Sequence, residues 1–63
     1  MEIKAQIVIM SHLSDIQEGN LSQKEINHKL NFVKFLIQRY PNTLDTLDPD
    51  KNYEDFKKKH PNL

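Results

Sequence analysis

The sequence predicts an all-α fold over residues 1–63, an antiparallel αα-hairpin followed by a short C-terminal helix. Apolar residues recur at helical spacing through about the first 40 residues, and two of the predicted helices begin with capping signals. A chain of 63 residues has room for one small domain, and without cysteine it forms no disulfide. Stabilisation by another chain is therefore a reasonable expectation.

The first predicted helix, about residues 2–18, begins with an ambiguous pattern. Apolar residues alternate over residues 3–9 as in a strand, and several of them are β-branched. Ile9, Leu13 and Ile16, in contrast, recur at helical spacing. We prefer the helix because the sequence shows no second strand for pairing, and a lone strand is not stable. A strand over the first ten residues remains the alternative.

The second predicted helix, about residues 22–40, has the clearest boundaries. Ser22 and Glu25 have the spacing of a capping box, in which each side chain accepts a hydrogen bond from the other residue's amide. Pro41 ends the helix because its ring disfavours helical geometry in the preceding residue. Gly19 suits the left-handed position after the first helix, so a short connection and antiparallel packing are expected.

The apolar residues of this helix exceed what a two-helix hairpin can bury. One stripe recurs at steps of four and three and is expected to face the first helix: Ile26, Leu30, Val33, Ile37 and Tyr40.

Phe32, Phe35 and Leu36 lie outside that stripe and need a second cover. Either the C-terminal apolar residues fold back over them or a second chain does, and the sequence leaves both open. The C-terminal apolar residues are Leu44, Leu47, Tyr53 and Phe56. The interface candidates are therefore Phe32, Phe35, Leu36, Tyr40, Tyr53 and Phe56.

A short third helix is predicted over about residues 49–59. Asp48 is a favourable N-cap, and Pro49 suits the first helical position. The segment superficially resembles the opening of a calcium-binding EF-hand loop, but Tyr53 replaces the required glycine and Lys59 the bidentate glutamate. A capped helix start is the better interpretation.

The sequence gives little support to an enzyme, a metal site or a cofactor site. His12, His28 and His60 could join Asp15 in a metal or general-base site, but their spacing matches no metal-binding motif. With a single glycine the chain has no glycine-rich phosphate loop, and its serines lie in no nucleophile motif. We interpret the histidines as surface residues and predict a protein without catalytic residues or cofactor.

Charge and hydropathy restrict the possible partners. Nine Lys and Arg residues balance nine Asp and Glu residues, so the chain has no general attraction to nucleic acid or anionic lipid. A small nucleic-acid-binding regulatory protein is still the alternative function, with Lys24, Lys29, Lys34 and Arg39 on the second helix as candidates. No apolar run reaches the roughly 18 residues of a membrane span, so a cytoplasmic location is expected.

Two segments, residues 7–15 (IVIMSHLSD) and residues 31–37 (NFVKFLI), resemble small uncharacterised helical proteins encoded by gut bacteria and their tailed phages. The resemblance covers roughly the first 40 residues. It implies a non-enzymatic assembly or virion-associated role, and a location in the cytoplasm or within a phage particle. The predicted function is therefore a helical protein-protein interaction or assembly module, with either itself or a larger assembly as partner.

Overall fold

The computed structural model describes residues 1–60, which form three α-helices and one two-stranded antiparallel sheet. In chain order these are β1 (Ile3–Lys4), α1 (Ala5–Gln17), α2 (Gln23–Arg39), β2 (Thr46–Leu47) and α3 (Pro49–Lys59). The predicted predominance of helix is confirmed, but the fold is neither purely helical nor a plain hairpin. Residues 61–63, which the predicted domain included, lie outside the described residues.

The first helix starts at Ala5, three residues later than expected, because Ile3 and Lys4 form β1. Ile3 pairs with Leu47 and Lys4 with Thr46. The expectation that a strand here would lack a partner was wrong, since the segment before α3 supplies the second strand. Both interpretations of the N-terminal pattern are therefore correct in part, as a short strand followed directly by a helix.

The start of α1 is stabilised by the loop before β2 rather than by a capping side chain. The side chain of Lys4, at the N-cap position, makes no capping hydrogen bond. Instead the amide of Ala5 donates to the carbonyl of Asp45 at 2.8 Å, and the amide of Gln6 donates to Thr43 at 2.9 Å. These bonds satisfy donors that every helix start leaves unpaired. They also fix the C-terminal half of the chain to the N-terminus of α1.

The predicted boundaries between α1 and α2 are confirmed. Gly19 has a φ of 78°, the left-handed conformation that glycine adopts without steric cost. At the start of α2, the amide of Glu25 donates to Ser22 Oγ at 3.2 Å, and the amide of Ser22 donates to Glu25 Oε1 at 3.4 Å. These two bonds form the expected capping box.

The third helix occupies its predicted range, and a buried asparagine attaches it to α2. Asp48 Oδ1 accepts from the amides of Asp50 and Lys51 at 3.1 and 3.2 Å, as an N-cap does. Asn52 is only 4% exposed. Its Nδ2 donates to the carbonyl of Asp48 at 2.8 Å, and its Oδ1 accepts from Tyr40 Oη at 3.2 Å. The first turn of α3 is thereby held against the end of α2.

The core combines residues of all three helices and β2, and its largest fully buried side chains are Phe56, Leu36 and Leu47. Full burial of each such side chain is worth roughly 1.5–3 kcal/mol. The buried apolar residues are Ala5, Val8, Ile9, Phe32, Val33, Leu36, Leu47 and Phe56.

The predicted core stripe of α2 is only partly correct. Val33 is buried, but Leu30 and Ile37 are 37% and 48% exposed, while Phe32 and Leu36 are buried. The buried side is therefore rotated by about a quarter of a helical turn from the predicted one. The reason is that α2 packs against α1 and α3 together, so its core direction lies between these two neighbours.

Replacing Phe56 by alanine should lower the free energy of unfolding by about 3–5 kcal/mol, the usual cost of removing a buried aromatic side chain. A loss of that size approaches the whole stability of so small a domain, so the variant should be largely unfolded. Urea denaturation followed by circular dichroism measures the effect. The control Leu44→Ala, at a residue 61% exposed, should stay within about 0.5 kcal/mol. Equal losses in the two variants would contradict this packing.

Candidate functional site

The predicted interface candidates lie close together, but three of them are buried in the protein's own core. Phe32, Leu36 and Phe56 are buried, and the ring centroids of Phe32 and Phe56 are 5.3 Å apart. The ring of Phe35, which is partly buried, lies 5.6 Å from that of Phe56. Helix α3 therefore packs against Phe32 and Phe35. This agrees with the first of the two explanations, in which C-terminal apolar residues of the same chain cover them. The three buried side chains present no surface to a partner.

The remaining candidates, Tyr40 and Tyr53, lie at the edges of the same contact. Tyr40 is partly buried and donates to Asn52, whereas Tyr53 remains 38% exposed. The ring of Tyr53 meets that of Phe32 edge to face at 5.3 Å. Leu44, which one of the two alternatives would have folded back as well, is exposed in the loop before β2.

The four basic residues proposed for nucleic-acid binding do not form a continuous cationic strip. Lys29 Nζ lies 3.2 Å from Asp15 Oδ2, and Arg39 Nη1 lies 2.9 Å from Asp55 Oδ2. Lys24 and Lys34 are exposed, and along the helix axis they are about 15 Å apart. Two of the four cations therefore already contact carboxylates of the same chain.

Large apolar side chains remain exposed along one side of the α1–α2 hairpin. We call these five residues the hairpin face: Ile7, Met10 and Leu13 of α1, with Leu30 and Ile37 of α2. They are 37% to 61% exposed. A group of this kind on two neighbouring helices is more informative than isolated exposed leucines, which are common on all proteins.

On α2, helical geometry places the hairpin face opposite α3. The rings of His28 and Phe35 lie 5.5 and 5.6 Å from that of Phe56 in α3. Leu30 and Ile37 each follow one of these residues by two positions, which is roughly 200° around the helix. They therefore point away from α3.

The same division holds on α1. The ring of His12 contacts that of Phe32 at 5.2 Å and so lies on the side of α3. Buried Ile9 lies between the directions of His12 and Leu13, and Met10 lies beyond Leu13. Leu13 and Met10 are thus on the uncovered side of the hairpin, together with Leu30.

The covered side of the hairpin contains a groove of about 580 Å³ between α1, the first half of α2 and the start of α3. Its wall is partly aromatic and partly charged: His12, Lys24, Glu25, His28, Lys29, Phe32, Pro49, Asp50 and Tyr53. His28 Nε2 and Tyr53 Oη form a hydrogen bond of 2.8 Å across it. This bond joins α2 to α3.

A network of three polar residues joins α1 to α2 beside this groove. Lys29 Nζ lies 3.3 Å from His12 Nδ1 and 3.2 Å from Asp15 Oδ2. Because an ammonium group only donates, His12 Nδ1 must accept, so we assign the neutral ring with its proton on Nε2. Burial, followed by the nearby Lys29 cation, holds the pKa of His12 below its ordinary value, and the Asp15 carboxylate opposes this shift in part.

The histidines do not assemble the metal or general-base site that the sequence raised as a possibility. His12 and Asp15 do come together, but the Lys29 ammonium lies against both of them. His28 bonds to Tyr53, and the ring of His60 lies 5.3 Å from that of Phe56 in a tilted arrangement at the end of α3. Over residues 1–60, no three His, Asp or Glu side chains are grouped so that they could hold a metal ion.

The opening resemblance to a calcium loop is resolved by the role of Asp48. Its carboxylate accepts hydrogen bonds from backbone amides at the start of α3. The hydrogen bond from the Lys51 amide is the main reason that the pKa of Asp48 lies below its ordinary value. The capped helix start is therefore confirmed.

Among the helices described for residues 1–60, none is long and apolar enough to cross a membrane.

Two features of these surfaces were not predicted from the sequence. Asn52 follows Asp48 by four residues, so a bond back to that carbonyl was predictable, but its bond to Tyr40 depends on the tertiary fold. The hairpin face was missed because Leu30 and Ile37 were expected to face the first helix. The signal was the excess of apolar residues over the area that three short helices can bury.

Comparison with known proteins identifies no family model, curated protein or solved structure that matches this chain. The resemblance to small proteins of gut bacteria and their phages therefore stays a prediction.

The His12 network predicts that stability falls as the pH drops below neutrality. Between 6.5 and the lower pKa of folded His12, the unfolded chain holds a proton that the folded chain does not. The free energy of unfolding is therefore fully maintained above pH 6.5 and decreases as the pH falls towards the folded pKa. Urea denaturation at a series of pH values measures this slope.

Two variants test whether His12 causes this pH dependence of stability. His12→Asn keeps an acceptor for Lys29 but cannot titrate, so most of the decrease between neutral pH and the acid range should disappear. His60→Gln, at the exposed end of α3, should retain the slope of the wild-type protein. A slope that persists in His12→Asn would contradict the assignment.

Proposed function

We propose that this chain is a non-enzymatic helical protein-protein interaction module whose contact surface is the hairpin face. The observation that carries the proposal is the unequal covering of the hairpin. On one side α3 covers Phe32, whereas on the other side Leu13, Leu30 and Ile37 remain substantially exposed. Exposed apolar side chains grouped on one side of two packed helices are typical of a contact with another molecule.

The hairpin face is also carried by a rigid support. The capping box of Ser22 and Glu25 fixes the start of α2, and Lys29 links α2 to His12 and Asp15 of α1. Side chains held on packed helices lose little further conformational freedom on binding, which lowers the entropic cost of association. This favours a ready-made contact surface over one that folds on binding.

The alternative, nucleic-acid binding, has weaker support. Affinity for a nucleic acid depends on several cations that contact phosphates together. Lys29 and Arg39 are instead engaged with Asp15 and Asp55. The overall charge of the sequence is zero, so it adds no attraction of its own.

Site-specific photo-cross-linking in the cells that express the protein tests this proposal, because it captures a partner of any identity. A photoreactive amino acid at Leu13 or at Leu30 should give a discrete adduct of higher mass. The same amino acid at Leu44 should give none, because Leu44, although more exposed than Leu13 and Leu30, lies in the loop outside the hairpin face. No adduct at Leu13 and Leu30, or equal adducts at all three positions, would contradict the proposal.

A further inference from the structure

We infer that the partner of the hairpin face is a second copy of this chain, so that two hairpins stack face to face as a four-helix bundle. This inference rests on the proposed function and names the occupant of its contact surface. Three properties of the hairpin face support it: its charge, its spacing along α2 and its place in so small a fold.

The helical surface around the hairpin face is almost free of charge. Around α1, the positions between Ile7 and Leu13 are uncharged: Gln6, Ser14 and Gln17. Beside Leu30 and Ile37 on α2 lie Gln23, Asn27, Gln38 and a single charged residue, Lys34. An acidic or a basic partner would find little complementary charge here, whereas two identical faces can meet with almost no like-charge repulsion.

The spacing of the apolar residues on α2 is that of a bundle seam. Ile26, Leu30, Val33 and Ile37 follow one another at steps of four, three and four. These are the steps between core positions in antiparallel helix bundles and coiled coils. The packing within the chain uses only the edge of this seam, since Val33 is buried while Leu30 and Ile37 remain exposed. A second helix pair is what such a seam normally packs against.

A two-fold arrangement also suits the size of the chain. In a symmetric dimer the same patch is used on both subunits, so one exposed face is sufficient for a closed assembly. A single chain of 63 residues buries a small core, and association is one of the few remaining ways to enlarge it in the absence of disulfides. The aliphatic part of the Lys34 side chain can lie along the edge of the contact between the two copies while its ammonium group stays in water.

Sedimentation equilibrium of the purified full chain, from low micromolar to near-millimolar concentration, tests the inference. The average mass should rise from 7.5 kDa towards twice that value. The double variant Leu13→Gln with Leu30→Gln should raise the dissociation constant at least about 100-fold, because the face loses apolar burial in both copies. Leu44→Gln, an equally conservative change outside the face, should dimerise as the wild-type protein does.

Loss of dimer in the double variant must not result from unfolding. Its circular dichroism and urea transition, measured at a concentration where the wild-type protein is monomeric, should match those of the wild type. A charge-pair experiment adds a second readout: Leu30→Glu and Leu30→Lys should each be monomeric alone, and an equal mixture should recover the dimeric mass. A mixture that remains monomeric would overturn direct contact between the two faces.

The failures of the two proposals are distinguishable. A wild-type chain that keeps a mass of 7.5 kDa at the highest concentration would overturn the homodimer. If Leu13 still cross-links in cells to a product of another mass, the interaction function stands with a different partner. If neither association nor a cross-link is found, both proposals fail.

Discussion

The packing of Phe56 against Phe32 determines how the rest of this chain is arranged. Their ring centroids are 5.3 Å apart, and both side chains are buried between α2 and α3. Because a large aromatic pair buries more area than the aliphatic residues nearby, α2 turns this side towards the core. Leu30 and Ile37 are consequently turned outward. The exposed hairpin face is thus a direct result of the aromatic contact, and not an independent feature.

Polar contacts fix the helices in this arrangement. Asn52 joins α3 to Tyr40 at the end of α2, and Lys29 joins α2 to His12 on α1. Each bond links two elements on the covered side of the hairpin, where burial makes an unsatisfied polar group costly. No buried side-chain nitrogen or oxygen within residues 1–60 lacks a partner. On the opposite side, Leu13, Leu30 and Ile37 remain exposed.

Features that depend on local interactions could be predicted from the sequence, whereas those that depend on distant contacts could not. The capping box of Ser22 and the N-cap of Asp48 involve residues within three positions, so their spacing predicts them. The pairing of Ile3 with Leu47 joins residues that are far apart in the chain and has no local signal. Periodicity identified the stripe containing Leu30, but it could not distinguish a core contact from a contact with another chain.

The central claim is that α2 uses two sides, one for its own core and the other for a second copy of the chain. Isotope-filtered nuclear Overhauser spectroscopy on a mixture of labelled and unlabelled protein tests it most directly. The claim predicts intermolecular signals from the methyl groups of Leu30 and Ile37, and only intramolecular signals from the ring of Phe56. Intermolecular signals from Phe56, or none from Leu30 and Ile37 in a concentrated sample, would contradict it.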